Sequence, residues 1–180
     1  MDNWVWSKKF LKNKTIKTLS NCMLGEQSVK FGSELFAKPA KDGLASPMHQ
    51  DNFYWCVDNS IGLTVWIALD VSNKKNGGVY YYKKSHLKGL LKHKLSYAPG
   101  SSQTIKYPSA LKNLKKVIPN IKLGDCIVHS CLVVHGSKKN KSKLSRRGLT
   151  VRFIGKSSKI DSKRKKVYEK NLSKNFRRDN

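Results

Sequence analysis

GLTVWIALDVSNKKNGGVYYYKKSH, residues 62–86, is the stretch whose reading decides the fold. Its first part, residues 62–72, is dense in β-branched and aromatic residues, which fit a pleated, half-buried surface better than a helix. NKKNGG then supplies the turn chemistry of Asn and Gly, and VYYYKKSH resumes extended. The stretch reads as two strands joined by a tight connection. The same signature recurs at residues 121–137, IKLGDCIVHSCLVVHGS, where a Gly-Asp turn opens a long apolar strand ending at His135. It recurs again at RRGLTVRFIG, residues 146–155. Strands at short spacing, with turn signals between them and little helix, predict an all-β sandwich or barrel.

The flanking segments are less regular. SNCMLGEQSVKFGSELF suggests a helix end followed by an extended segment. Residues 87–120 carry Pro99, Gly100, Pro108 and Pro119, and read as loop with a short helix near SALKNLKKV rather than as core. Residues 156–180, KSSKIDSKRKKVYEKNLSKNFRRDN, form a charged extension that is either disordered or a partly formed basic helix around KRKKVYEKNL.

Bulk properties bound the function. A chain of 180 residues with 38% hydrophobic content has material for one core. The reading is therefore a single domain over residues 1–155 followed by the basic tail 156–180. The sequence shows no apolar run of bilayer length and no leader pattern at MDNWVWSKKFLKNK, so a soluble, cytoplasmic protein is expected. Cys22, Cys56, Cys126 and Cys131 form no CxxC pair, which argues for reduced, mostly buried thiols. Lys and Arg number 37 against 11 Asp and Glu, a net charge of +26. Such a field attracts nucleic acid or another polyanion. Only six of the 37 are arginine and the lysines are scattered over every segment, so a solvated, lysine-rich surface is the preferred reading over a dedicated nucleic-acid face.

The chemistry concentrates at MHQDNFYW, residues 48–55, which otherwise looks like a buried strand. Alternation along a strand puts His49 and Asp51 on one face and Gln50 on the other. With a third histidine from a later antiparallel strand, two imidazoles and one carboxylate form a facial set. Such a set suits non-heme Fe(II) and leaves three coordination positions open. His135 is the best third ligand, because it ends its strand beside a loop. His129, of the same facing by parity, reads as a satisfied pocket or core histidine. Eleven residues after His135 comes Arg146, whose guanidinium fork is a natural partner for a carboxylate.

Three ordered blocks, LFAKPAKDGLASPMHQDNFYW, LTVWIALDVSNKKNGGVYYYKKSH and KLGDCIVHSCLVVHGSKKNKSKLSRRGLTVRF, resemble the phytanoyl-CoA dioxygenase family of Fe(II)/2-oxoglutarate-dependent oxygenases. The resemblance spans roughly residues 28–155. It implies a double-stranded β-helix, the cupin-like jelly roll, with minor helices. It implies His49, Asp51 and His135 as iron ligands, 2-oxoglutarate as cosubstrate anchored by Arg146 with support from Ser137, and O2 as co-reactant. Gln50 and Trp66 match positions lining the cosubstrate pocket, and Lys38 falls where relatives carry a lysine near the site. Relatives have a longer N-terminal part, so the domain reads as shortened at that end. The retained Asp51 favours hydroxylation of a small organic substrate over halogenation, which requires that carboxylate to be lost. The rival is a non-catalytic or degenerate basic jelly roll that binds nucleic acid or another polyanion. Its one hint is the Tyr80, Tyr81, Tyr82 run beside Lys83 and Lys84.

Overall fold

A computed structural model describes residues 12–98 and 101–176. Residues 1–11, 99–100 and 177–180 lie outside them. Two four-stranded antiparallel sheets and a hairpin carry the fold. The first sheet has the order β1-β10-β3-β8, from β1 (Ser28–Lys38), β10 (Arg146–Gly155), β3 (Gly62–Ala68) and β8 (Cys126–Ser130). The second has the order β2-β9-β4-β7, from β2 (Ser46–His49), β9 (His135–Ser137), β4 (Val79–Tyr82) and β7 (Lys116–Val117). This is the jelly roll.

Period-two alternation divides the first sheet's faces. Leu63, Val65, Val151 and Phe153 form a buried cluster on one face, with Ile16 and Leu24 of helix α1 (Lys14–Leu24) packed on it. Burying each such side chain contributes roughly 1.5–3 kcal/mol. Asn13 caps α1, its Oδ1 accepting from the amides of Thr15 at 2.9 Å and Ile16 at 3.3 Å. On the opposite face Thr64, Trp66, Arg146 and Thr150 point into a cleft. Gly148 makes room for the Trp66 ring there, since a Cβ would lie 2.1 Å from its Cζ2. The hydrophobic side of this sheet thus holds it together, and its polar side is left free for chemistry.

Several expectations change. Residues 62–86 do form two strands, but β3 and β4 belong to different sheets, so the 69–78 connection crosses between layers instead of closing a hairpin. The long strand expected through His135 is two strands: a turn after Ser130 sends β8 and β9 to opposite sheets. Residues 87–120 contain the hairpin β5 (His93–Ala98) and β6 (Ser101–Ile105), and Ile105 and Leu111 join Val134 in a buried cluster. Cys56 and Cys131 are buried, whereas Cys22 and Cys126 are exposed, and all four are free thiols.

The basic extension carries a docked helix, α3 (Ser162–Phe176). Arg164 donates to the carbonyls of Asn52 at 2.7 Å and Val57 at 3.2 Å, and Tyr168 packs edge-on against Phe53 and Tyr54. Asp161 caps the helix, accepting from the amides of Lys163 and Arg164, both at 3.0 Å. No described helix is long and apolar enough to cross a membrane.

Candidate metal and cosubstrate site

β2 ends at His49, and Asp51 opens the short helix α2 (Asp51–Trp55), so the HxD pair does not lie on one strand. The facing predicted from alternation survives because Gln50 between them stays extended, at φ −119° and ψ 134°. Antiparallel pairing of β2 with β9 sets His49 directly opposite His135, with ring centroids 4.4 Å apart. Asp51 Oδ1 lies 3.9 Å from His49 Nε2 and 3.5 Å from His135 Nε2. The three donor atoms fall within 4.8 Å of one another, and they are the one such group among the described residues.

Each imidazole is oriented by its own backbone. Nδ1 of His49 faces the Pro47 carbonyl at 2.8 Å, and Nδ1 of His135 faces that of Val133 at 2.9 Å. Those carbonyls can only accept, so Nδ1 carries the proton and Nε2 presents its lone pair to the centre. Burial lowers the pKa of His49 to about 4, with His135 adding to the effect, and burial also lowers that of His135. Both rings are therefore neutral near pH 7, as ligation requires. Burial acts to raise the Asp51 pKa, but the surrounding ring nitrogens of His135, His129 and His49 outweigh it and hold the carboxyl below the usual range.

A second ring of contacts settles which Asp51 oxygen faces the centre. Thr64 Oγ1 donates to Oδ2 at 2.7 Å. His129 Nε2 approaches the same oxygen at 3.3 Å, although neither ring nitrogen of His129 reaches a well-aligned hydrogen bond. With Oδ2 occupied, Oδ1 is left for the histidine side. His129 is thus a pocket residue, as expected, but it arrives from the opposite sheet to His135 and touches the carboxylate directly. Tyr81, register partner of His135, stacks beside it at 5.9 Å, and its buried hydroxyl has no partner.

The donors open into a cleft of about 100 Å³ between the sheets. Arg146, 4% exposed, lies on its wall with its Cζ 5.5 Å from the Trp66 ring centroid. It makes no ion pair among the described residues, and its Nε has no hydrogen-bond partner. Burial pushes its pKa down to about 10. A buried guanidinium left without a carboxylate is costly unless a ligand supplies one. Ser137 and Trp66 share that wall. Arg147, the next residue, points outward and binds Asp70 in a bidentate pair at 2.8 Å for each contact.

Two expected residues stand elsewhere. Gln50, with no exposed surface, turns away from the cleft. Its Nε2 donates to the carbonyls of Gly89 at 2.8 Å and Leu132 at 2.7 Å, and its Oε1 accepts from Leu91 N–H at 2.8 Å. Every hydrogen-bonding position that matters is used in tying β2 to two loops, so none remains for a cosubstrate. Lys38, register partner of Arg146, is buried beside it, with its ammonium donating to the Leu44 carbonyl rather than lining the cleft. Burial, then the Arg146 charge, lowers its pKa to about 8. Sequence reasoning missed Thr64, Tyr81, Thr150 and Arg152 on the cleft wall. Parity with Trp66 and with Arg146 would have flagged Thr64, Thr150 and Arg152.

A family model described as Phytanoyl-CoA dioxygenase (PhyH) matches residues 5–148. Among curated proteins, Phytanoyl-CoA dioxygenase 1 of Oryza sativa subsp. japonica is 30% identical over 121 residues, covering 67% of this chain and 42% of the rice protein. The chain thus spans less than half the length of that relative. Among solved structures, the non-heme monooxygenase ThoJ in its apo form superposes with a TM-score of 0.73 at 23% identity, covering 87% of this chain and 58% of that one. The epimerase SnoN, solved with Fe3+, alpha ketoglutarate and nogalamycin RO, superposes with a TM-score of 0.70 at 19% identity, covering 85% and 60%. At these identities the structural matches establish a shared fold.

Proposed function

This chain belongs to the phytanoyl-CoA dioxygenase family, and from that premise we propose that it is an Fe(II)- and 2-oxoglutarate-dependent oxygenase hydroxylating a small organic substrate. The balanced reaction consumes substrate, 2-oxoglutarate and O2 and yields hydroxylated product, succinate and CO2. The observation that carries the reading is a His49, Asp51 and His135 donor set opening onto the same cleft as a buried, unpaired Arg146. Two neutral imidazoles and a carboxylate on one face match iron's preference and leave the opposite face for other ligands. Bound iron supplies the redox chemistry that couples decarboxylation of 2-oxoglutarate to C–H oxidation.

The chain's own residues do the positioning. Arg146 would hold the far carboxylate of 2-oxoglutarate, and the Ser137 hydroxyl on the same wall would add a donor. Trp66 stacks under the Arg146 guanidinium and fixes its direction. Thr64 and His129 hold Asp51 Oδ2, which leaves a single carboxylate oxygen for the metal. Phe36, Trp66 and Val79 give the cleft apolar wall that excludes water from the reacting centre. The retained Asp51 supports hydroxylation over halogenation. Against the polyanion-binding rival, Tyr80 and Tyr81 are buried, which removes the stacking surface on which that reading leaned.

The test is an anaerobic titration of the purified chain with Fe(II) and 2-oxoglutarate, following the metal-to-ligand charge-transfer band in the visible. The band is expected in wild type, absent in His135→Ala and weakened in Arg146→Ala. Its absence from folded wild-type protein overturns the assignment.

A further inference from the structure

The oxygenase reading accounts for one arginine of the cleft and leaves another. Arg152 lies six residues beyond Arg146 on the same face of β10, so the two occupy different ends of the wall, roughly 20 Å apart along the strand. Its register partner is Thr64, whose hydroxyl binds Asp51, which puts Arg152 level with the metal set. The site needs no further cation: a dication, the Asp51 carboxylate, doubly charged 2-oxoglutarate and Arg146 sum to neutrality, and Lys38 behind Arg146 already adds positive charge. Arg152 therefore adds a positive charge that the cosubstrate chemistry does not use.

Among the described residues little else saturates that charge. Its one ion pair there runs from Nη1 to Glu34 Oε2 at 3.4 Å, with Glu34 half exposed at the rim, and its buried Nε has no hydrogen-bond partner among them. An exposed pair of this kind is worth little and exchanges readily. The strand beside it is shaped to admit the guanidinium. β1 shifts register between Lys30 and Gly32, and at Gly32 a Cβ would lie 3.0 Å from Arg152 Nη2. A glycine at the bulge keeps the fork's second nitrogen clear. Phe36 of the same strand, 41% exposed, lines the same cleft further along, opposite Gly148.

We propose that Arg152 is the substrate-recognition residue of the cleft, and that it selects a small molecule with an apolar body and an anionic head group, carboxylate or phosphate. The proposal rests on the oxygenase reading and deepens it. The head group takes the open Nε and Nη edge of Arg152, displacing Glu34 to solvent, while the apolar body lies in the cleft that Phe36 lines and the metal set opens into. Glu34 acts as a placeholder that competes with weak anions.

The test uses protein loaded anaerobically with Fe(II) and 2-oxoglutarate at low ionic strength, where charge contacts are least screened. Hexanoate, hexyl phosphate and hexan-1-ol are titrated, and binding is read from perturbation of the visible band and from calorimetry. Wild type is expected to bind an anion at least about ten-fold more tightly than the alcohol, as a charge-assisted fork requires. The tighter of the two anions names the head group. Arg152→Gln is expected to erase the preference with the 2-oxoglutarate band retained. Glu34→Gln is expected to strengthen anion binding several-fold, which a merely structural ion pair would not do. Equal binding of anion and alcohol by wild type, or a preference surviving Arg152→Gln, overturns the proposal while the band stands. Absence of the band from wild type instead sinks the oxygenase reading, and this site with it.

Discussion

Gln50→Leu separates two roles for the residue between the metal ligands. Leucine keeps most of the volume and deletes the amide, so the perturbation is the loss of three hydrogen bonds, to Gly89, Leu132 and Leu91. The amide orientation is fixed by its partners, since two carbonyls can only face Nε2 and an N–H can only face Oε1. Each bond is worth about 1 kcal/mol net, and stranding the Leu91 N–H without water adds about 1 kcal/mol or more. The expected loss is about 4 kcal/mol, which for a chain of this size lowers the melting temperature by roughly 12 °C. Thermal and urea unfolding of the metal-free variant measure it. At a temperature where the variant is folded, its 2-oxoglutarate affinity is expected to stay within about two-fold of wild type, because the amide does not face the cleft. A variant that melts with wild type yet loses 2-oxoglutarate would refute the reasoning and return Gln50 to the cosubstrate pocket.

Three further outcomes follow from the same geometry. Thr64→Val removes the donor to Asp51 Oδ2 at nearly constant shape and is expected to weaken Fe(II) binding about ten-fold with little change in melting, measured by competition with a chromophoric chelator. Arg146→Met deletes a buried cation with no ion-pair partner among the described residues, so it is expected to raise stability by about 1 kcal/mol in urea unfolding while weakening the 2-oxoglutarate band; a clear loss of stability would mean the guanidinium has a structural partner. Burial lowers the His93 pKa to about 4, against the Leu91 carbonyl that favours its charge, and its Nε2 accepts from the Gln50 backbone N–H. The unfolded chain therefore binds the extra proton between about pH 6.5 and 4, and stability falls as pH drops through that window, by up to on the order of 3 kcal/mol. His93→Gln is expected to flatten the slope, and an unchanged slope would assign the acid sensitivity elsewhere.

The legible parts of this protein are those where a local pattern has one structural solution. Alternating β-branched runs gave β3 and β10, and the parity of β10 separates buried Arg146 from Arg147, which pairs with Asp70 outside. The relation of His49 to Asp51 was readable even though the strand ends between them, because one extended residue preserves alternation. What stayed hidden depends on layer changes. Val-rich residues 126–137 look continuous, and nothing local marks the turn after Ser130 that sends His129 and His135 to different sheets. The β5–β6 hairpin hides its strand pattern because its inward positions include half-buried His93, held in polar contacts with the Leu91 carbonyl and the Gln50 backbone N–H, and buried Gln103. Gln50 was misplaced for a related reason: a buried amide serving two loops has the same local sequence as one serving a ligand.

The carbonyl clamps on His49 and His135 bear on which ion the centre takes. Imidazoles already turned inward, with their tautomers fixed, charge no reorganisation against any divalent cation of suitable size. Affinity then follows the Irving–Williams order, in which Fe(II) stands below Co(II), Ni(II) and Cu(II). A ready-made face of two nitrogens and one oxygen therefore does not select iron by tightness, and its occupancy records whichever metal was supplied at the time of loading. Protein passed over a nickel column is expected to carry nickel, inert toward O2 turnover, until chelation and anaerobic iron reconstitution replace it.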